Sequence, residues 1–187
     1  MSKLLIALLL FSFGADAIAQ SLDLDALAKQ PGATVTKRSE GGSEIVEIRL
    51  GGVTFTRKDG QILSFDNSGH GAVLCTWEII VGMKTGADVC FPGEFPELSS
   101  LLGEEIEALN AFIIANSLIP VTMTNLQARF DERMRRVHPG GSYCDSVRQA
   151  FIVPFNNQLR STSHAELKRQ FDQTRAVSRP PVMDPCL

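Results

Sequence analysis

A chain of 187 residues that is 44% hydrophobic and 21% charged has an ordinary globular composition, which excludes wholesale disorder. A net charge of −3 argues against a general nucleic-acid binder, which would present a basic surface. After the N-terminal segment no apolar run reaches the ~20 residues of a spanning helix, so no transmembrane helix is expected in the mature chain.

The first nineteen residues read as a secretory signal. Lys3 supplies the positive start, Leu4 to Phe13 form an apolar stretch too short to span a bilayer, and Ala17-Ile18-Ala19 is a small-residue cleavage site leaving Gln20 first. No Cys sits at that point for a lipid anchor, and no Asn-x-Ser/Thr acceptor occurs in the chain. The expected destination is the periplasm, with the extracellular space as the alternative. Residues 20–187 then form one secreted domain, strand-rich over 20–96 and helical over 97–187.

Leu22, Leu24 and Leu27 predict a short helical lead-in. Strands are expected over Ala33 to Lys37, Glu44 to Leu50, Val53 to Arg57 and Ile62 to Phe65. Gly51-Gly52 and Asp59-Gly60 sit between them as hairpin turns. Val46, Ile48 and Leu50 share one face of their strand, and Ile45, Glu47 and Arg49 the other. The apolar run Ala72 to Met83, with the only Trp, is expected as a fifth, central strand buried on both faces. Leu98, Leu101, Leu102, Ile106, Leu109 and Ile113 recur at helical spacing and predict a buried central helix over 97–118. A second helix, 123–137, carries the stripe Met123, Leu126, Phe130, Met134 and Val137. A third, 144–160, is expected to kink or split at Pro154. Ser163-x-x-Glu166 is a capping box that opens a fourth, and the proline-rich tail ends at Cys186. The expected class is therefore α+β: an antiparallel meander of about five strands followed by about four helices packed on one face.

Four cysteines, Cys75, Cys90, Cys144 and Cys186, in an exported chain predict two disulfides. The pairing Cys75–Cys90 and Cys144–Cys186 is favoured because it closes the more local loops. No Cys-x-x-Cys pattern and no His at ligand spacing support zinc, and Cys-x-x-Cys-His, G-x-G-x-x-G, the P-loop and H-E-x-x-H are all absent, so no cofactor or metal is expected.

Several clusters carry residue types suited to chemistry. Lys84-Thr85-Gly86 resembles the Lys-Thr-Gly triplet of serine penicillin-recognising enzymes, but the Ser-x-x-Lys of that family is missing and the match is a chance one. His138 and Cys144 bracket a glycine pair. A structural disulfide is the favoured role for this thiol, ahead of a nucleophile. Asp66 to Gly71 has the oxygen-rich look of a cation loop but reads as a plain turn. Glu78, Asp88, Glu94, Glu104 and Glu105 lie near the strand-to-helix junction, where two carboxylates could serve acid/base hydrolysis, though no spacing selects a pair. Glu78, set in an apolar run, calls for an arginine partner or an edge.

Nine of the ten basic residues in 97–187 are arginine. Arg129, Arg133 and Arg136 fall on one helical stripe and are the candidate contact for a protein partner or anionic ligand. The expectation is a non-enzymatic periplasmic binding or accessory protein using strand edge and arginine-bearing helix, with no nucleic-acid partner. The alternative is a small secreted hydrolase using the junction carboxylates.

Overall fold

The computed structural model of the chain describes residues 22–186; the expected signal segment and its cleavage before Gln20 lie outside them. Four antiparallel strands follow in order across one sheet: β1 Thr34–Glu40, β2 Ser43–Leu50, β3 Val53–Lys58 and β4 Gln61–Asp66. Each connection is a two-residue turn with both central residues at positive φ: Gly41 and Gly42 at 60° and 86°, Gly51 and Gly52 at 56° and 82°, Asp59 and Gly60 at 52° and 77°. That is the type I′ geometry whose twist matches the flanking strands, and it fixes the register without slack. Directly opposed residues share a face, so Val35, Ile48 and Phe55 form one inner row, while Thr36, Glu47, Thr56 and Leu63 form one outer row.

The inner face buries Val46, Ile48, Val53 and Phe55 against Leu24 and Leu27 of the single-turn helix α1 (Leu24–Leu27) and against Val182 of the tail. Asp23 caps α1, its carboxylate accepting from the backbone N–H of Asp25 and Ala26 at 3.0 Å each. The tail also closes one side of the sheet. Asp66 donates its backbone N–H to the Asp184 carbonyl at 2.7 Å, and Phe65 and Asp184 form a parallel bridge beside β4.

The expected fifth strand is a helix, α2, Val73–Thr85. Its β-branched residues and lack of a polar face imitate a doubly buried strand, but thirteen residues exceed the usual strand and fit a helix enclosed on all sides. No residue of α2 is exposed, so this helix, rather than the next one, is the centre of the helical core. Around it pack α3 (Pro96–Asn116), α4 (Met123–Arg136), α5 (Ser142–Val147), α6 (Val153–Ser161) and α7 (His164–Thr174). α3 is amphipathic, burying Leu98, Leu102, Leu109 and Ile113 and exposing Glu97, Glu104 and Glu107. The expected helix over 144–160 does split: a π-helical turn, Arg148–Ile152, separates α5 from α6, with Pro154 in the first turn of α6. Ser163 caps α7 as the sequence implies, its hydroxyl accepting from the Glu166 N–H at 3.2 Å.

The class is α+β with four strands, and the helices do not cover the sheet as expected. They bury their apolar faces mainly on one another, in a core centred on Val73, Trp77, Ile80, Val81, Leu102 and Leu109, while the sheet has its own smaller core. The disulfides also differ from the favoured pairing: Cys75 bonds Cys186 and Cys90 bonds Cys144, with Cα atoms 5.3 and 5.5 Å apart. Sequence proximity misleads here. Backbone contact sets the first bond, because Leu74 donates to the Val182 carbonyl at 3.0 Å and brings the tail to the start of α2. Helix packing sets the second, because a π-helical turn, Gly86–Cys90, extends α2 to the start of α5.

Candidate functional site

Three titratable groups are clearly shifted, and each is bound into a separate structural pair. Asp66 is held below the ordinary carboxylate range. Burial works to raise it, but hydrogen bonds from Ser68 and Arg179 outweigh that. Its Oδ1 accepts from the Ser68 N–H at 2.8 Å and hydroxyl at 2.5 Å, and its Oδ2 from Arg179 Nε at 2.6 Å. With both oxygens engaged, the loop from Asp66 to Gly71 is a hydrogen-bonded turn and its carboxylate is committed to Arg179. Glu105 is raised by burial, which its ion pair with Arg175 only partly offsets. Burial likewise raises Tyr143, whose hydroxyl donates to the Gly82 carbonyl at 3.0 Å.

The junction carboxylates do not converge. Glu78 pairs with Arg133, the kind of partner its apolar setting requires. Glu94 takes Arg148 in a two-pronged pair at 3.0 and 2.5 Å, with the guanidinium also 4.6 Å above the Phe91 ring. Glu104 is exposed, and Glu105 lies with Arg175 on α7's side of the core. Asp88 alone has a polar group of its own. Lys84 pairs with Asp88, Ser99 Oγ donates to Asp88 Oδ1 at 2.7 Å, and Lys84 Nζ donates to Ser99 Oγ at 2.9 Å. These three side chains sit at a shallow depression of about 450 Å³ lined also by Phe95, Pro96, Ser100 and Gly103.

The arginine stripe splits by function. Arg133 is half-buried, pairs with Glu78 and reaches α2 at Gly82, where an added Cβ would lie 3.3 Å from its Nη2. It is a packing element between α4 and α2. Arg136 pairs with Glu132 on its own helix at 2.5 Å. Arg129 is exposed and makes no ion pair among the described residues. Cys144 is in a disulfide, so no thiol stands near His138. Among the described residues no three His, Cys, Asp or Glu side chains converge to hold a metal ion, and no helix is long and apolar enough to cross a membrane.

What sequence reading leaves unmarked is which strand gives the expected free edge; the structure has β1 there. All seven of its residues are exposed. β2 covers one side of it, and among the described residues nothing pairs with the other, whereas the opposite edge of the sheet is met by the tail at Asp184. A seven-residue edge therefore offers a row of free backbone N–H and C=O groups. On the outer sheet face, Leu63 and Phe65 of β4 are 65% and 47% exposed and line a groove of about 480 Å³ with Thr54, Thr56 and Pro185.

Comparison with protein-family models, with curated proteins and with solved structures finds no match to this chain.

Proposed function

We propose that the protein is an exported, periplasmic binding or accessory protein that works without catalysis, by taking an extended segment of a partner onto the free edge of β1. The carrying observation is the edge itself: seven consecutive exposed residues in regular strand geometry with one side unpaired. Main-chain hydrogen bonds give such an addition its affinity, and alternate side chains give it selectivity. The two disulfides suit an oxidising compartment, and they tie both ends of the helical part without restraining β1. The shifted groups Asp66, Glu105 and Tyr143 lie apart and outside both depressions, which is the pattern of structural pairs. A photo-crosslinking residue placed at Val35 should trap a partner in the periplasm, while the same residue at Phe151, an exposed apolar position on the helical part, should not. Equal trapping at both, or none at Val35, overturns the reading.

The hydrolase alternative draws on one cluster, Ser99 between Asp88 and Lys84 at the depression beside α3. There Asp88 would take the hydroxyl proton as Ser99 attacks an ester and return it to the departing alcohol, and water would then release the acid from Ser99. A fluorophosphonate probe tests it: labelling of Ser99 in the folded chain supports a nucleophile, and an unlabelled Ser99 removes it.

A further inference from the structure

We infer that the segment accepted by β1 carries two adjacent acidic residues, placed opposite Lys37 and Arg38; this rests on the strand-edge reading above. The argument comes from the register. Lys37 is opposite Val46, which is opposite Arg57, which is opposite Ile62, and these four share the inner face. Arg38, Ile45, Lys58 and Gln61 are opposed in the same way on the outer face. Two neighbouring cross-strand rows thus hold four cations and no anion. Lys37 and Arg57 are two strands apart, about 10 Å, and so are Arg38 and Lys58, just past the ~8 Å screening length at physiological salt, so the pairs reinforce one another mainly at lower ionic strength. Among the described residues none of the four is in an ion pair. The nearest acids lie outside these rows: Glu47, next to Ile45 on the outer face and paired with Arg49, Glu40 and Glu44 toward the Gly41-Gly42 turn, and Asp59 in the β3–β4 turn.

An added antiparallel strand would continue both rows at its first two edge positions, one side chain on each face, beside Lys37 and Arg38. Opposite charges directly across a sheet stabilise pairing and like charges oppose it. Three residues beyond the one opposite Arg38, the partner residue meets Val35, which ends the inner row formed with Ile48 and Phe55; an apolar β-branched residue there extends that row. Opposite Glu40 a basic residue is favoured. Read along the partner, the pattern is basic, any, acidic, acidic, any, β-branched. The same charges disfavour a second copy of this chain, because the antiparallel register that pairs all of Thr34–Glu40 with itself is centred on Lys37 and sets two ammonium groups opposite each other.

The test uses the purified chain with both disulfides intact and three labelled peptides: Lys-Thr-Glu-Glu-Thr-Val-Thr, its charge-reversed form Glu-Thr-Lys-Lys-Thr-Val-Thr, and the first peptide methylated on alternate backbone nitrogens. Fluorescence anisotropy reads affinity, and amide shift changes locate binding. The acidic peptide should bind on the order of tenfold more tightly than the charge-reversed one, with shifts along Thr34–Glu40. Methylation should abolish binding. The exposed double substitution Lys37→Glu/Arg38→Glu should reverse the preference, and Arg57→Glu/Lys58→Glu, which leaves the edge untouched, should weaken it at low ionic strength. Equal affinity for the two charge forms, with methylation still blocking, overturns the acidic-partner inference and leaves the edge reading standing. No binding of either peptide, or full binding of the methylated one, overturns both. Sedimentation that shows a dimer joined through β1 assigns the edge to a second copy and overturns the inference.

Discussion

Arg179 and Asp66, 113 residues apart, form an ion pair whose side chains are both fully enclosed, with Arg179 Nε 2.6 Å from Asp66 Oδ2. The other two guanidinium nitrogens donate to the carbonyls of Gly71 at 2.6 Å and Val177 at 2.9 Å, and the group lies 5.8 Å from the Phe112 ring. One side chain of the tail therefore ties together the end of β4, the loop before α2 and the C-terminal part of α3. It is the polar joint between the sheet core and the helical core, and every buried polar atom in it has a partner.

Removing one member should leave the other charge buried without compensation. Arg179→Met is expected to cost about 3–5 kcal/mol, measured by urea unfolding, whereas Arg179→Met with Asp66→Asn should recover part of that loss. The acid side of the stability curve should carry the same signature. The folded pKa of Asp66 is depressed, so its contribution is fully present above the ordinary aspartate value of about 3.9 and is lost as pH falls through the lower folded value. A variant lacking Asp66 should show a shallower acid decline. An unchanged decline would place the acid sensitivity elsewhere.

Glu105 should act in the opposite sense. Its folded pKa is raised by burial, so the native state holds the proton more tightly than the unfolded chain does. Its contribution favours folding at low pH and fades as pH rises from the ordinary glutamate value of about 4.3 through the higher folded value. Glu105→Gln keeps an acceptor for Arg175 and removes the titration. The expected result is a flatter stability profile over that window, with little change at its acid end, where the wild-type group is also neutral. Thermal melts from pH 3 to pH 7 decide it, and a profile parallel to wild type contradicts the assignment.

The disulfide pairing has a direct check. Non-reducing digestion should release one crosslinked peptide containing Cys75 and Cys186 and another containing Cys90 and Cys144. Their sequence separations are 111 and 54, so chain entropy assigns them about 5 and about 4 kcal/mol of stabilisation. Replacing Cys75 and Cys186 by serine should therefore be the more damaging pair of changes. Recovery of a Cys75–Cys90 peptide would contradict the arrangement of the tail.

Much of the sheet could be read from the sequence because its information is local. Glycine pairs and Asp59-Gly60 specify tight turns, and alternation in Glu44 to Leu50 specifies a face. α2 could not be read by periodicity, since a helix enclosed on every side has no polar stripe to reveal its period. Reading it as a strand also hid the i, i+4 pair of Lys84 and Asp88, which faces one way only on a helix. The cysteine pairing was hidden because it follows from how the tail and α5 pack on the two ends of α2, a long-range fact. The free edge of β1 was hidden for a related reason: its polar residues suit any exposed strand, and only the strand order shows that, among the described residues, nothing adjoins it.

Gly86 offers a test in which packing and helix propensity predict opposite signs. Its backbone is right-handed helical at φ −60° and ψ −46°, so alanine fits the conformation and gains about 1 kcal/mol of propensity. A Cβ there, however, would lie 2.8 Å from Val147 Cγ1 and 3.0 Å from Ile152 Cδ1, beside the Cys90–Cys144 bond. Both neighbours are buried side chains with little room to move. Gly86→Ala is therefore expected to destabilise by about 1–3 kcal/mol, and a stabilised variant would show that the contact between the two π-helical turns is looser than described.

The arginines of α4 should separate cleanly by mutation. Arg129 is exposed, so Arg129→Gln is expected to change stability by no more than about 0.5 kcal/mol. Arg133 is half-buried, and its loss leaves Glu78 without a cation on a largely apolar helix and opens the contact at Gly82. Arg133→Gln should cost about 1.5–3 kcal/mol, the range for a hydrogen bond to a charged group. Arg133→Lys should recover only part, because a single ammonium cannot both meet Glu78 and fill the flat space over Gly82 that the guanidinium occupies. Adding Glu78→Gln to Arg133→Gln should cost less than the two single losses combined, since each removes the same pair. If Arg129→Gln and Arg133→Gln melted alike, the stripe would be three equivalent surface charges and the division drawn from the Glu78 pair would be wrong.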